Sequence, residues 1–371
     1  MEGRVNLGAV WGIPIGLHVS WFLVFGLVTW SLAAGYFPAE YPGWAPSAYW
    51  LVGAVTSLVF FASIVVHELG HSWVTLRNAI PIRSITLFIF GGVAQVGREP
   101  TAPGVEFRIA IAGPLTSLGL AGLFGGAWLL ARDSALLAAP AIWLARINLM
   151  VGLFNLVPGF PLDGGRVFRA AVWRWTGSFH RATRAASFSG QLVAFGFIAF
   201  GFLTILRGNM LGGIWMALIG WFLQNAAAVT HAQANLRGLL AGVTVAQAMT
   251  PEGPRVTGDW TLERLVQEEV LGAGRRCFLV TDDGHLRGLL TLHEVKTVPR
   301  ERWGDVKAED VMTPMERLAA VGPQEELLVA LEKMDDANVA QLPVVAGDSV
   351  LGMVGREQIL HYVRVRAELG M

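Results

Sequence analysis

The chain changes character past its midpoint. Up to about residue 230 the apolar positions form long runs; after about 240 they form short stretches with the spacing of strands and amphipathic helices. A helix that crosses a bilayer needs about 20 mostly apolar residues. Six stretches approach or exceed that length, at roughly 14–35, 50–75, 105–131, 136–157, 186–206 and 210–230. Residues 81–100, PIRSITLFIFGGVAQVGREP, follow another rule. β-Branched and aromatic residues surround Gly91-Gly92, with prolines and arginines on the flanks, which predicts a β-hairpin around a Gly-Gly turn. Non-helical backbone beside a bilayer needs a covering of protein or a partner strand.

Beyond residue 240 a weak repeat appears, with a period of about sixty residues. VTVAQAMTPEGPRVTGDWTLERL is echoed by VKAEDVMTPMERLAAVGPQEELL. Each copy predicts a helical start with Met-Thr-Pro, an amphipathic helix, two short apolar strands around an Asp/Gly turn, and a closing helix. The fold class is therefore a polytopic α-helical membrane protein with about six transmembrane helices and a membrane-associated β-hairpin, followed by a soluble α/β module present twice. The expected domains are 1–235, 243–300 and 306–368.

Composition agrees with a bilayer as the first partner. Only 15% of the 371 residues are charged, against about 25% in ordinary soluble proteins. The formal net charge is zero, which gives no support to a nucleic-acid partner. One cysteine, Cys277, excludes an internal disulfide and a cysteine zinc cluster, and reads as a small core residue. The start, MEGRVNLGAVWGIPIG, lacks the basic-then-apolar order of a cleavable signal peptide. Arginines sit on one side of the spans: Arg77, Arg83, Arg98 and Arg108 in one connection, and Arg166, Arg169, Arg174, Arg181 and Arg184 in another. The opposite connections offer only Arg132 and Arg207. The bias predicts a multi-pass protein of the plasma membrane with its N-terminus and soluble module cytoplasmic. Arg146, inside the fourth span, is read as snorkelling to the outer interface.

The chemistry concentrates in FASIVVHELGHSWVTL, residues 61–76. His67 and His71 are four residues apart, so a helix presents both imidazoles on one face. Tetrahedral zinc takes two such nitrogens, and Glu68 lies where it can contact a water at the metal. Ionisable groups in a spanning helix are destabilising without a compensating ligand, which favours zinc over a chance match. A catalytic zinc site needs a third protein ligand, and FNLVPGFPLDGGRVF (154–168) offers Asp163, where Pro158, Pro161, Gly164 and Gly165 would break a helix. Asn155, polar in the same apolar span, reads on its own as a helix–helix hydrogen bond.

Together these motifs resemble the site-2 protease family of intramembrane zinc metalloproteases. His67-Glu68-Leu69-Gly70-His71 matches HExxH, and Asn155, Pro158, Leu162, Asp163, Gly164 and Gly165 match the family's second motif position by position. GIPIGLHVSWFLVF near the start and IAGPLTSL (111–118) are similar to further family segments, and the resemblance spans roughly residues 5–230. It implies one Zn2+ per chain on His67, His71 and Asp163. Glu68 would take a proton from water and return it to the leaving nitrogen, and Asn155 would hold the substrate backbone or the oxyanion. The implied substrate is a membrane protein whose transmembrane helix unwinds and pairs with the hairpin edge; anti-sigma and pro-sigma factors are among the family's options. His18 lies in a family segment without an assigned role.

The second half resembles a tandem pair of cystathionine-β-synthase (CBS) modules, which often bind adenine nucleotides and associate as dimers. In the first copy GLLTLHE keeps Thr291, with Glu294 in place of Asp; in the second, GMVGREQ has Gly355 and Gln358 at the two polar positions. Thr291 and Glu294 are thus the candidate nucleotide contacts, with a dimerisation or substrate-docking role as the alternative. Against the protease stand a non-catalytic membrane scaffold and a CBS-regulated transporter.

Overall fold

The computed structural model describes residues 4–89, 91–240, 242–251, 253–282, 285–337, 339–347 and 349–369. Phe90, beside the expected Gly-Gly turn, and Asp283, Gly284 and Asp348, in the expected Asp/Gly turns, lie outside these. The chain divides into two compact units, Met1–Ala234 and Asn235–Met371.

The first unit opens with a strand pair that the apolar pattern did not predict. β1 (Arg4–Val10) and β2 (Ile13–His18) are antiparallel. Trp11 (φ 52°) and Gly12 (φ 79°) turn the chain with both dihedrals positive, as a type I′ hairpin turn requires. The expected first span thus starts five residues late, because Ile13, Ile15 and Leu17 alternate into the core as strand residues. Helix α1 (Val19–Ser31) follows, and its span runs on to Glu40 through a π-turn at Leu32–Tyr36.

Helix α2 (Pro46–Arg77) carries HExxH and starts with Pro46 in its first turn, where a missing N–H costs nothing. β3 (Ile82–Phe88) and β4 (Gly91–Val96) form the expected hairpin. Phe88 pairs with Gly91, so Gly91 and Gly92 begin β4 and do not form the turn. β2 and β3 pair in parallel, giving a four-stranded sheet of order β1-β2-β3-β4. Its apolar face packs on α2: Ile13, Ile15 and Ile85 meet Val65 and Leu69, and Leu17, Trp21, Leu87 and Phe61 form the adjoining cluster. The sheet is therefore fixed to the turn of α2 that bears Glu68.

Helices α3 (Pro103–Leu130) and α4 (Ala135–Asn155) follow. The arginine-rich connection beyond them contains a helix of its own, α5 (Asp163–Thr176), which is amphipathic, too short to cross a bilayer, and closed by Gly177 at φ 68°. Helices α6 (Phe179–Leu206) and α7 (Met210–Leu240) come next in the chain. Among the described residues six helices are long and apolar enough to span a membrane. Most of the segment 231–242 is the end of α7.

The second unit contains the repeated α/β motif, with one exchange. The first copy contributes β5 (Thr250–Pro251), β6 (Arg255–Thr257), α8 (Leu262–Leu265), β7 (Cys277–Asp282), β8 (His285–Thr291) and α9 (Leu292–Thr297). The second contributes α10 (Ala308–Val311), β9 (Thr313–Pro314), α11 (Leu327–Asp336), β10 (Gln341–Ala346), β11 (Ser349–Gly355) and α12 (Arg356–Glu368). The two Met-Thr-Pro segments, expected to be helical, supply short strands instead. β5 pairs with β11 of the second copy, and β9 with β8 of the first. Proline cannot extend a helix but is tolerated in a strand at a sheet edge. Each copy has its own core, around Phe278, Val280 and Leu290 in the first and Leu327, Met334 and Val354 in the second.

Candidate metal centre

His67 and His71 project from one face of α2 and are buried, 5% and 8% exposed. Each is fixed through its Nδ1 by α3. His71 Nδ1 lies 2.7 Å from the Ile109 carbonyl, and His67 Nδ1 lies 2.8 Å from Ser117 Oγ. A carbonyl only accepts, so His71 carries its proton on Nδ1 and leaves a lone pair on Nε2. Such a partner on the second ring nitrogen orients a metal-binding histidine. The two Nε2 atoms are 3.3 Å apart.

Asp163 comes to the same point from the start of α5. Its Oδ2 lies 3.2 Å from His67 Nε2 and 3.1 Å from His71 Nε2. The turn that delivers it is built from close backbone approaches. A Cβ on Gly165 would lie 2.5 Å from Phe160 N, and one on Gly159 would lie 2.6 Å from Gly190 Cα on α6. Glycine at these positions lets the 156–162 segment lie between α5 and α6. Phe160 N also donates to the Ala186 carbonyl, and Ser189 Oγ donates to the Pro158 carbonyl.

These donors suit zinc. Two imidazole nitrogens and one carboxylate oxygen lie within 4.8 Å of one another, the nitrogen and oxygen set of many catalytic zinc sites. Gly113 on α3 keeps the space open: a Cβ there would clash with His71 Nε2 and lie 2.6 Å from His67 Nε2. Glu68 stands beside the cluster without belonging to it, and β4 passes over it. A Cβ on Gly92 would lie 2.6 Å from Glu68 Cγ, which explains why a glycine sits inside this strand.

Asn155 is the last residue of α4, half-buried, and its side chain makes no hydrogen bond among the described residues. His18 caps α1, its Nδ1 accepting from Ser20 N at 3.2 Å. Arg146 Nη1 donates to Tyr36 OH at 3.5 Å. In the second unit Thr291 caps α9, with Glu294 accepting from its amide at 2.9 Å and from its hydroxyl. The two candidate nucleotide contacts therefore form a capping box with each other. A cleft of about 460 Å³ lies instead beside the second copy's corresponding position, lined by Gln247, Met249, Gln358, His361 and Tyr362. Gln358 Oε1 is buried there without a hydrogen-bond partner among the described residues. Cys277 is in the core, where burial pushes its thiol up to about 12.

Ser117, the Ile109 carbonyl and Gly113 are not marked as site residues by the sequence, although IAGPLTSL contains two of these positions. Arg169 reads in the sequence only as one of the topological charges. That side chain forms a buried ion pair with Glu106 on α3. The available signal was an acid inside the apolar stretch GVEFRIAIAG, which a spanning helix does not keep without a partner.

The helices, the sheet and the site define a membrane-embedded metallopeptidase. The model of peptidase family M50 matches residues 55–132 and 129–199, and that of the CBS domain matches 308–365. Rip3 of Mycobacterium tuberculosis is 37% identical over 370 residues, covering 98% of this chain and 94% of Rip3. Zinc metalloprotease MJ0392 of Methanocaldococcus jannaschii is 28% identical over 372 residues, 98% of this chain and 97% of that protein. The solved site-2 protease from Methanocaldococcus jannaschii matches with a TM-score of 0.42 and 29% identity, over 62% of this chain and 95% of its own. The chain belongs to peptidase family M50, the site-2 proteases, and is a zinc metalloendopeptidase with a C-terminal CBS region.

Proposed function

We propose that this protein cleaves a transmembrane segment of another membrane protein, with zinc held by His67, His71 and Asp163 and with Glu68 as the proton carrier. The convergence of two Nε2 atoms and Asp163 Oδ2 within 3.1–3.3 Å carries this reading. Zinc, when bound, supplies the Lewis acid that makes water nucleophilic and polarises a carbonyl. Glu68 accepts the proton of the attacking water and delivers it to the departing amide nitrogen, so the peptide bond breaks into an acid and an amine. The Asn155 amide, otherwise unbonded among the described residues, donates to the substrate carbonyl at the end of α4.

A helical substrate must unwind before it can be cut. β4 is an edge of the four-stranded sheet and passes over Glu68, which supports addition of the unwound substrate as a further strand. The arginine bias favours a plasma-membrane protein with cytoplasmic N-terminus and CBS region, and a cut toward the cytoplasm. Single-span regulators such as anti-sigma and pro-sigma factors fit that geometry. For the CBS region the reading is adenine-nucleotide modulation, with Thr291 and Glu294 of the first copy as the contacts, and a homodimer through residues 240–371.

Glu68→Gln tests the catalytic assignment. It keeps the side chain's shape but removes the base, so the purified full chain should keep its zinc while cleavage of a single-span substrate falls by about 10²–10⁴-fold. Retained cleavage would remove Glu68 from the reaction and reopen the scaffold and transporter readings.

A further inference from the structure

Glu106, Ile109, Gly113 and Ser117 follow one another on α3 at steps of three, four and four residues, and so share one face of the helix. Three of them serve the two histidines: the Ile109 carbonyl and Ser117 hydroxyl hold the rings, and Gly113 leaves space between the Nε2 atoms. The fourth reaches the other ligand's helix. Glu106, fully buried, accepts from Arg169 Nε at 2.7 Å and from Arg169 Nη2, both on Oε1. Arg169 is 6% exposed and belongs to α5, which begins at Asp163.

The same guanidinium also contacts the turn before Asp163. It lies 5.1 Å from the Phe160 ring and 4.6 Å from the Phe179 ring, within the range of cation–π attraction. Arg169 thus connects the segment preceding the ligand, the helix following it and the start of α6 to a single carboxylate on α3. Arg166 Nε stands 3.9 Å from the same oxygen. A buried ion pair rarely adds net stability over apolar side chains of the same size, so its presence in an apolar helix bundle calls for a geometric reason.

We infer that the Glu106–Arg169 pair is a positioning device for the metal centre: it sets Asp163 against the imidazoles that the same face of α3 holds. This rests on the zinc assignment proposed above. Without the pair, α5 and the 156–162 turn are free to shift relative to α3, and Asp163 Oδ2 loses its common position with the two Nε2 atoms. Neither Glu106 nor Arg169 is assigned contact with zinc or substrate; both act through Asp163.

The test uses the full chain in detergent, with affinity for zinc measured by chelator competition and ligand geometry read from the visible absorption of the cobalt-substituted protein. Arg169→Met and Glu106→Gln should each weaken zinc affinity about 10–100-fold and alter the cobalt bands, with the protein still monodisperse. Made in an Asp163→Ala background, either change should weaken zinc further by less than about twofold, since the group it positions is gone. Wild-type affinity and spectrum in a folded Arg169→Met protein would overturn the inference. So would an equal loss in the Asp163→Ala background, which would mean a general effect on the fold. If Arg169→Met fails to fold, Glu106→Gln decides, because it keeps an oxygen acceptor for Arg169. A wild-type chain that binds no zinc would instead refute the metal assignment, and this inference with it.

Discussion

The two units handle charge in opposite ways. In the membrane unit the ionisable groups at the metal centre are buried and joined to one another: His67 and His71 to Asp163, and Arg169 to Glu106, at side-chain exposures of 0–16%. In the second unit the ion pairs lie at the surface. Arg264–Glu268 is 53% and 54% exposed, and Arg356–Asp335 is 42% and 61% exposed. An exposed pair is worth little and is easily replaced, so its presence says little about function. A charge in an apolar bundle is expensive, and each one here points to a partner or a ligand.

Two glycine substitutions sharpen this contrast at the metal centre. Gly113→Ala places a methyl group against His71 Nε2 and 2.6 Å from His67 Nε2, so zinc content of the purified chain should fall well below one per molecule and cleavage should be lost. Gly92→Ala pushes on Glu68 Cγ from β4. It should slow cleavage by about tenfold or more, the order of a misplaced proton carrier, with zinc content unchanged. Loss of zinc in Gly92→Ala would mean that β4 supports the ligands as well as Glu68.

In the second unit the corresponding effect is small. Hydrogen bonds from Lys333 hold the Glu325 carboxyl below the usual carboxylate range. A carboxyl whose folded pKa is depressed adds stability above its unfolded pKa and loses it as pH falls through the folded one. Both partners are more than a third exposed, so the contribution should stay below about 1 kcal/mol. Glu325→Gln should therefore lower amide-exchange protection around residues 320–333 slightly at pH 7. The difference from wild type should vanish as pH falls below the depressed pKa of the Glu325 carboxyl. A difference that persisted there would indicate a packing role for Glu325.

The same contrast explains what could be read from the sequence. His67, Glu68 and His71 stand out because their neighbours are apolar, and Asp163 because prolines and glycines surround it. The Ile109 carbonyl has no side-chain signature, so its part in fixing His71 was invisible. Arg169 was hidden among arginines that report topology, and its partner Glu106 lies 63 residues earlier in the chain. β1 and β2 were missed because Ile13–His18 leads without a break into the apolar run of α1. In the second unit, Thr291 and Glu294 at helix-cap spacing fit a capping box and a ligand contact equally well, and their hydrogen bonds are to each other. The Met-Thr-Pro strands pair over only two residues each, with strands of the other copy. No local pattern marks such an exchange.

The central claim is that two histidines of one helix and one aspartate from a distant turn hold a single catalytic zinc. X-ray absorption at the zinc edge, on the purified full-length Glu68→Gln protein, tests it most directly. About one zinc per chain is expected, with multiple-scattering features of two imidazoles, the remaining ligands oxygen and no sulfur; Asp163→Ala should lower occupancy. A metal-free protein, a single imidazole or a sulfur ligand would contradict the account.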